Sequence, residues 1–577
     1  MASLALIAAC GSSGGSSSTK TENLPDQGRL TTTTSNVNSV NSGSPKTGGR
    51  LDYTIEKDIQ DWNLNTINGN TFDTGVVLNV IYPQVYIPNP DTSTLTLNTD
   101  LTPSVDQTST NPQTIVYHIN PNAVWNDGKP IDATDFEYAW RTQNGKDCPA
   151  CQTASTTGYD QIKTLTASDN GKTVTVVFST PYSDWKGLFG AGYGLLPAHL
   201  CGCGNMADKA TLAKSFNTTL DKSAPKFSGG PYVISSFKSN TAVTLIPNPK
   251  WYGKQKPFLS QLVFHIITDA TQEPTALRNK EVQGIYPQPQ VDLVSQVKGI
   301  PSVRYQLDLG LTWEHFDLNL HNPALAQGKG DALRKALFTS LNVQQIIDKT
   351  VGQFDKDVKQ LNNRMFMPQQ QGYKDNVSEF GYGKGDIAAA KKLLTDAKYT
   401  GVGTKLVDPS GKAVPTLTMR YTVGNTIRKN ECLLFKAAAA QLGVNINVQT
   451  TDDLGASLGH TAGKDYDIIV FAWVGAPFFS ANRDIYVTPK NGAGGNNFGG
   501  YTNSTVDQAL YASVGDLDST KLAGDLNTAD KQISSDAYTL PLYQKPTFLA
   551  YYNNIVNLRD NATNVGPSYN AGMWGFK

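Results

Sequence analysis

The chain has 577 residues, too many for one ordinary hydrophobic core, so two or more cores are expected. Lysine plus arginine equals aspartate plus glutamate at 49 each, which removes the electrostatic case for nucleic acid or an acidic membrane surface as partner. The 25 Tyr, 21 Phe and 8 Trp beside 51 Gly and 30 Pro describe a loop-rich secreted chain with aromatic surfaces rather than a helical one.

Residues 1–10, MASLALIAAC, form a short apolar run ending Ile7-Ala8-Ala9-Cys10. Such a run reads as the apolar core of an export signal, because a membrane span needs about 20 apolar residues. Its end resembles a bacterial lipobox, so Cys10 is expected to carry a lipid and to begin the mature chain. Residues 11–50 hold almost no large apolar side chain, which predicts a flexible Gly/Ser/Thr linker before a folded body that starts near Leu51. No later stretch approaches about 18 uninterrupted apolar residues, so no membrane-spanning helix is expected.

From Thr114 to Arg141 the pattern is strand, turn, capped helix. Ile115, Tyr117 and Ile119 alternate, Asn126-Asp127-Gly128 supplies a tight turn, and Asp132 caps a helix with Asp135 three residues on. Ile162 to Phe178 reads as a hairpin turning at Asp169-Asn170-Gly171. Tyr232 to Phe237, Ala242 to Ile246 and Leu262 to Ile267 read as strands, and Asp386 to Ala397 as an amphipathic helix with an aspartate cap. Thr416 to Thr422, a helix from about Thr426 to Leu442 stopped by Gly443, and Val444 to Thr450 make a strand, helix, strand unit, normally parallel and right-handed. Asp467 to Trp473 is a short apolar strand.

Five of the six cysteines follow Cys10: Cys148, Cys151, Cys201, Cys203 and Cys432. The C-x-x-C and C-x-C pairs fit either disulfides or a four-thiolate zinc site, and export favours disulfides. Two bridges joining segment 148–151 to segment 201–203 are expected, each contributing ~2–4 kcal/mol. Local rings are sterically poorer. Cys432 lies in a helical pattern and reads as a buried free thiol.

No catalytic constellation survives testing. Gly455-Ala456-Ser457-Leu458-Gly459 has the form of a nucleophile elbow, but the last histidine, His460, stands only three residues past Ser457. Asp452 or Asp453 as an N-cap would also place Ser457 inside a helix. The phosphate loop, H-E-x-x-H and dinucleotide fingerprints are absent from the sequence, and no two histidines stand at i, i+3 or i+4. Neither a cofactor nor a metal is therefore expected, and no enzyme activity.

Residues 125–141, WNDGKPIDATDFEYAWR, resemble the W-S-D-G-K-P-L-T-A-x-D-V-x-x-x-W block of the bacterial extracellular solute-binding proteins, family five, which deliver peptides, nickel or sugars to ABC importers. A second block, GGPYVISSFKSNTAVTLIPN followed by Pro249-Lys250-Trp251-Tyr252, resembles the family's G-T-G-P-Y and N-P-x-Y-W elements. Trp313–Leu320, Leu333–Ile347, Asp386–Ala397, Asp467–Trp473, Asn497-Phe498 and Asp536–Leu542 resemble further blocks in family order, from about residue 51 to 560.

The resemblance implies an α/β fold: a two-lobed clamshell of the type II periplasmic-binding-protein kind, large and cluster C-like, with an extra N-terminal subdomain in lobe I. Lobe I is expected over 51–267 and again over 541–577, and lobe II over 268–540, with hinges near Ile267-Thr268 and Pro541-Leu542. In peptide-binding members an aspartate soon after the glycine-tryptophan strand end captures the ligand's α-amino group. Here Trp473-Val474-Gly475 continues as Ala476-Pro477-Phe478-Phe479 without it, and Asp484 does not match in spacing. Trp473, Phe478, Phe479 and Trp313 are read as an aromatic cleft, and Asn497 as a hydrogen-bonding partner of ligand backbone.

The function implied is that of a substrate-binding lipoprotein of an ABC transporter, anchored by lipid to the outer face of the bacterial cell membrane. It would act as a monomer, close on a peptide or other small solute, and present it to a membrane permease. A regulatory, glycolipid-binding or sugar-binding lipoprotein of the same fold is the alternative, and a serine hydrolase a remote one.

Overall fold

A computed structural model describes residues 22–23, 40–66, 68–190, 193–200, 206–220, 223–459, 465–490 and 495–577. The strands that position the site begin with β1 (Arg50–Ile55), β2 (Ser104–Thr110), β3 (Gln113–His118), β4 (Ile162–Ser168) and β5 (Thr173–Phe178). They continue with β6 (Tyr232–Lys238), β7 (Ala242–Pro247), β8 (Gln261–Ile266), β9 (Gly284–Ile285) and β10 (Val303–Gln306). The last are β11 (Leu309–Leu318), β12 (Leu417–Thr422), β13 (Ile446–Thr451), β14 (Ile468–Val474), β15 (Thr539–Pro546) and β16 (Leu549–Tyr552).

Two large sheets define the lobes. The first has the order Glu22–Asn23, β10, β16, β9, β1, β8, β7, β6, and the second the order β13, β12, β14, β11, β15. A separate four-stranded antiparallel sheet, β2-β3-β5-β4, belongs to the first lobe's long N-terminal portion. Each large sheet sits in its own apolar core, one built around Leu51, Tyr53, Trp62, Phe264 and Trp574, the other around Phe316, Leu337, Phe435, Val470 and Leu542. This is the expected two-lobed α/β architecture.

The passage between lobes is not where the sequence suggested. The chain crosses from β10 to β11 at Leu307-Asp308 and returns from β15 to β16 at Thr547-Phe548. Past Ile267 it stays with the first sheet because helices Glu273–Arg278 and Val291–Lys298 bury Ala276, Leu277, Leu293, Val294 and Val297 against Ile285, Phe548 and Ala550. Pro541 and Leu542 lie in the middle of β15, buried in the second lobe. Residues 40–49 are likewise not a free tether. Asn557 donates its N–H to Asn41 O at 2.8 Å, Arg559 Nε to Val40 O at 2.9 Å, and Lys46 N–H to Phe576 O at 2.8 Å, so backbone bonds hold a segment that composition alone leaves loose. Cys10 lies outside the described residues.

Helix α1 (Ala133–Gln143) begins at Asp132, which accepts from Thr134 N at 2.9 Å, while Asp135 accepts from Asp132 N at 3.1 Å to complete a capping box. Asp135 also accepts from the Trp125 indole at 3.2 Å and from Ala198 N at 2.9 Å. Burial pushes its carboxyl up to about 7, and Trp125 is fully buried, so this segment is a structural joint of the first lobe. Helix α2 (Ile387–Asp396) takes its cap from Asp386, and helix α3 (Thr426–Ala440) from Asn425, which accepts from Arg428 N at 3.0 Å. Gly443, at φ +85°, ends the α3 segment, and β12 and β13 pair in parallel as expected of a strand, helix, strand unit.

The disulfide expectation is corrected. Cys148 bonds to Cys151, because the turn between them brings their Cα atoms to 5.3 Å and Cys151 N donates to Cys148 O at 3.1 Å. Cys201 and Cys203 lie outside the described residues. Cys432 is a buried free thiol, as its helical setting predicts.

Candidate functional site

Two crossovers, at Leu307-Asp308 and Thr547-Phe548, join the two sheets, and the candidate cleft is taken where residues of the two lobes meet. The ends of β14 and β11 are drawn tightly to the first lobe. Gly475 N donates to Leu311 O at 3.2 Å, and Gly475 O accepts from Asn564 N at 2.9 Å. A side chain at 475 would collide with Leu311 of the neighbouring strand β11, whose Cβ and O lie 2.8 Å from where a Cβ would stand, so the close packing of these two strand ends requires glycine.

One polar seam between the lobes runs along the start of α3. Glu314 on β11 pairs with Arg428 at 2.7 Å and with Lys545 at 3.3 Å, all three buried. Burial alone would raise the Glu314 carboxyl, but the two cations outweigh it and hold it well below the usual range. Nearby Glu431 receives the Tyr543 hydroxyl, and burial together with the Glu314 charge pushes its carboxyl up to about 8. From the first lobe, Gln288 accepts from Lys545 Nζ at 2.6 Å and from Asn425 Nδ2 at 3.4 Å, and Gln290 accepts from Thr426 at 2.5 Å. Gln288 in turn donates to Glu56, its N–H at 2.9 Å and its Nε2 at 3.2 Å. Two cations facing one ionised carboxylate at the N-terminal end of a helix make the second lobe's side of this seam electropositive.

The other seam is carried by the segment that follows β14. The Phe478 ring lies against Gly187 of the first lobe, 3.5 Å from where a Cβ would stand. Ser480 N donates to Asp184 at 2.7 Å, and its hydroxyl meets Tyr182 Oη at 2.9 Å. Asp484 accepts from Thr157 at 2.8 Å and from Ser155, while Arg483 donates to Asp160 at 3.1 Å.

The aromatic residues singled out in the sequence divide between roles. Trp473 is half-buried and stacks on both His315 (6.2 Å, 10°) and Phe498 (6.1 Å, 10°), and Phe478 is half-buried at the interlobe contact. Trp313 is 4 % exposed and packs in the second lobe with Leu311, Leu361 and Met367. Phe479 tilts onto Phe366 at 4.7 Å. Asn497 is corrected: Nδ2 donates to Val487 O and Tyr501 O at 2.9 and 2.7 Å, and Oδ1 accepts from Tyr501 N at 2.9 Å, so its amide is spent closing its own turn. Ser457 sits in helix α4 (Leu454–Gly459), 3 % exposed, donating to Thr451 at 2.8 Å, which removes the nucleophile elbow.

Several residues of these surfaces were missed. Arg428, Lys545, Gln288, Asp184 and Thr157 stand in no motif, and the sequence reading gave Arg428 only a place near the start of a helix. Among the described residues, no group of three or more His, Cys, Asp or Glu is placed to hold a metal ion, and no helix is long and apolar enough to cross a membrane.

Comparison with known proteins gives this geometry its context. The profile of the bacterial extracellular solute-binding proteins, family 5 (middle region), matches residues 96–496. The chain is 28% identical over 529 residues to the oligopeptide-binding protein OppA of Mycobacterium tuberculosis, covering 91% of this chain and 85% of that one. Among solved structures, a periplasmic EDTA-binding protein, EppA, superposes with a TM-score of 0.86 at 35% identity, covering 95% of this chain and 99% of that one. The oligopeptide-binding protein AppA of Bacillus subtilis, solved with a nonapeptide, superposes at 0.78 and 18% identity, covering 92% and 100%, which speaks to the fold alone. The family is one of binding proteins rather than enzymes, and its fold is the type II periplasmic-binding-protein fold. This chain belongs to the bacterial extracellular solute-binding proteins, family 5.

Proposed function

We propose that this protein is an extracytoplasmic receptor that captures oligopeptides between its lobes by hinge closure and presents them to the permease of an ABC importer. It works as a monomer held at the outer face of the cell membrane by lipid on Cys10. The observation that carries the reading is the pair of polar seams: Gln288 and Gln290 against the start of α3, and Asp184 and Thr157 against Ser480 and Asp484. These bonds tie the two lobes to each other at two separate places, the kind of contact a hinge-closing receptor makes when shut. The half-buried Trp473 and Phe478 lead from the second sheet into the second seam and supply apolar surface for variable side chains. Arg428, Lys545 and the N-terminal end of α3 suit a ligand carboxylate, and the similarity to an oligopeptide-binding protein supports the ligand class.

Native mass spectrometry of the purified protein, followed by denaturing release of what copurifies, tests this. A ladder of peptide masses is expected; a single sugar or lipid mass overturns the peptide reading. A second reading has a specific observation behind it. The excess of cations over ionised carboxylates at Glu314, Arg428 and Lys545 also suits a polycarboxylate chelate, the ligand class named for the EDTA-binding neighbour. The same release experiment distinguishes it, by the mass of a metal–polycarboxylate complex.

A further inference from the structure

We infer that the first lobe carries, apart from the interlobe cleft, a pocket for a small phosphate ester, built between the end of α1 and the start of β4. The inference stands independently of the peptide reading.

A cavity of 430 Å³ lies where the last turn of α1 meets β4, lined by Trp140, Arg141, Lys146, Asp147 and Lys163 among others. Its size is within the ~300–1,000 Å³ of small-molecule sites. Lys146 and Lys163 are exposed, so the cavity is open to solvent, and Trp140 is half-buried on its wall. Two features of the chain hold this wall in place. After α1 the Asn144 side chain closes the turn: Oδ1 accepts from Lys146 N and Asp147 N at 2.8 Å each, and Nδ2 donates to Asp147 at 2.9 Å. The Cys148–Cys151 ring follows directly. On β4, Ile162 pairs with Phe178 and Thr164 with Val177, so Lys163 is the extra residue of a β-bulge. A bulge re-aims a side chain out of the strand's ordinary alternation, and here the side chain is one that lines the cavity.

Charge selects the ligand. The lining holds the cations Arg141, Lys146 and Lys163 against the single carboxylate of Asp147. Arg141 is already engaged, its Nε donating to Glu137 at 2.7 Å and its Nη1 to Asp147 at 3.3 Å. The Lys146 ammonium meets only the Asp160 carbonyl, at 3.3 Å, and the Lys163 ammonium has no hydrogen bond or ion pair among the described residues. The lining therefore carries an excess of two positive charges on side chains that solvent reaches. A phosphomonoester carries about −1.5 to −2 at neutral pH with three acceptor oxygens, which matches that excess; a carboxylate would match half of it. Asp147 receives Arg141 and Asn144 on Oδ2 and nothing on Oδ1 among the described residues, which leaves one acceptor for a ligand hydroxyl. The Trp140 ring adds an apolar face for the carbon skeleton. The set fits a phosphorylated polyol such as glycerol phosphate, either free or as a lipid headgroup.

The test is titration calorimetry at low ionic strength with glycerol 3-phosphate, and with glycerol as the uncharged control, on the full-length Cys10→Ser chain, which offers no cysteine at position 10 for a lipid. Glycerol 3-phosphate should bind and glycerol should not. Lys163→Ala should weaken binding roughly tenfold and Lys163→Arg should retain most of it, with thermal melts unchanged because Lys163 is exposed. Lys250→Ala, at an exposed lysine outside the lining, should leave the affinity as it was. Flotation of the same chain with phosphatidylcholine vesicles carrying phosphatidic acid separates the two sources. Vesicle binding that Lys163→Ala abolishes assigns the pocket to a headgroup, and calorimetric binding without vesicle binding assigns it to a free ester. Binding to neither probe overturns the pocket. Equal losses in Lys163→Ala and Lys250→Ala also overturn it, because they mark diffuse attraction to surface charge. Either overturning result leaves the peptide reading standing.

Discussion

The hydroxyl of Thr157 donates to the carboxylate of Asp484 at 2.8 Å, fastening the first lobe to the segment that leaves β14. Ser155 donates to the same oxygen, so a single buried carboxylate gathers two hydroxyls from the opposite lobe. The first carboxylate downstream of Gly475 thus acts between lobes.

Asp484→Ala should therefore weaken closure rather than the fold of either lobe. The two bonds form only when the lobes meet, and hydrogen bonds to a charged group contribute ~1.5–3 kcal/mol each, so ligand affinity should fall roughly tenfold or more. The radius of gyration of the ligand-free protein in small-angle scattering should rise. An unchanged radius and affinity would show that the seam plays no part in closure.

How much of this was legible in sequence depends on whether the signal was local. The α3 unit was readable because its helix, from about Thr426, stands between two apolar strands and is stopped by Gly443, and the buried Trp125–Asp135 bond sits inside a contiguous block. The crossovers were not readable, because β9 is only two residues long and is held by pairing to β1 and β16, partners far away in the chain. Residues 40–49 dock through backbone bonds, to which composition is blind. Asn497 was noticed for its identity, but whether an asparagine serves a ligand or its own turn is decided by where the chain folds back.

The carboxyl of Glu431, pushed up to about 8 by burial and Glu314, makes stability depend on pH. The folded state holds this proton more tightly than the unfolded chain does. Its contribution is therefore full below the ordinary glutamate value, about 4.3, and is lost as pH rises through about 8. Glu431→Gln keeps an acceptor for Tyr543 without a charge to bury. It should match the native protein in thermal melts at pH 4.5 and exceed its Tm by roughly 2–4 °C at pH 8.5.

Arg428→Met removes one of the two cations that hold Glu314 ionised in a fully buried site. Breaking one side of a buried pair typically costs about 3–5 kcal/mol, here moderated by Lys545, so a loss of about 2–4 kcal/mol is expected in denaturant unfolding. The companion double variant Arg428→Met with Glu314→Gln should recover part of that loss, because the uncompensated charge leaves with the cation. A double variant no more stable than the single one would place the loss in packing around the arginine stem instead.

The Cys148–Cys151 ring encloses so short a segment that its removal should cost little. Loop-closure entropy for a ring of this size is worth about 2 kcal/mol, below what two long-range bridges to segment 201–203 would supply together. Peptide mapping without reduction should recover Cys148 and Cys151 in one cross-linked fragment, and the Cys148→Ser, Cys151→Ser variant should lose no more than about 2 kcal/mol. A cross-link from either residue to Cys201 or Cys203 would reverse the assignment and raise the expected loss, since closing a loop of some fifty residues constrains the unfolded chain far more than closing a single turn.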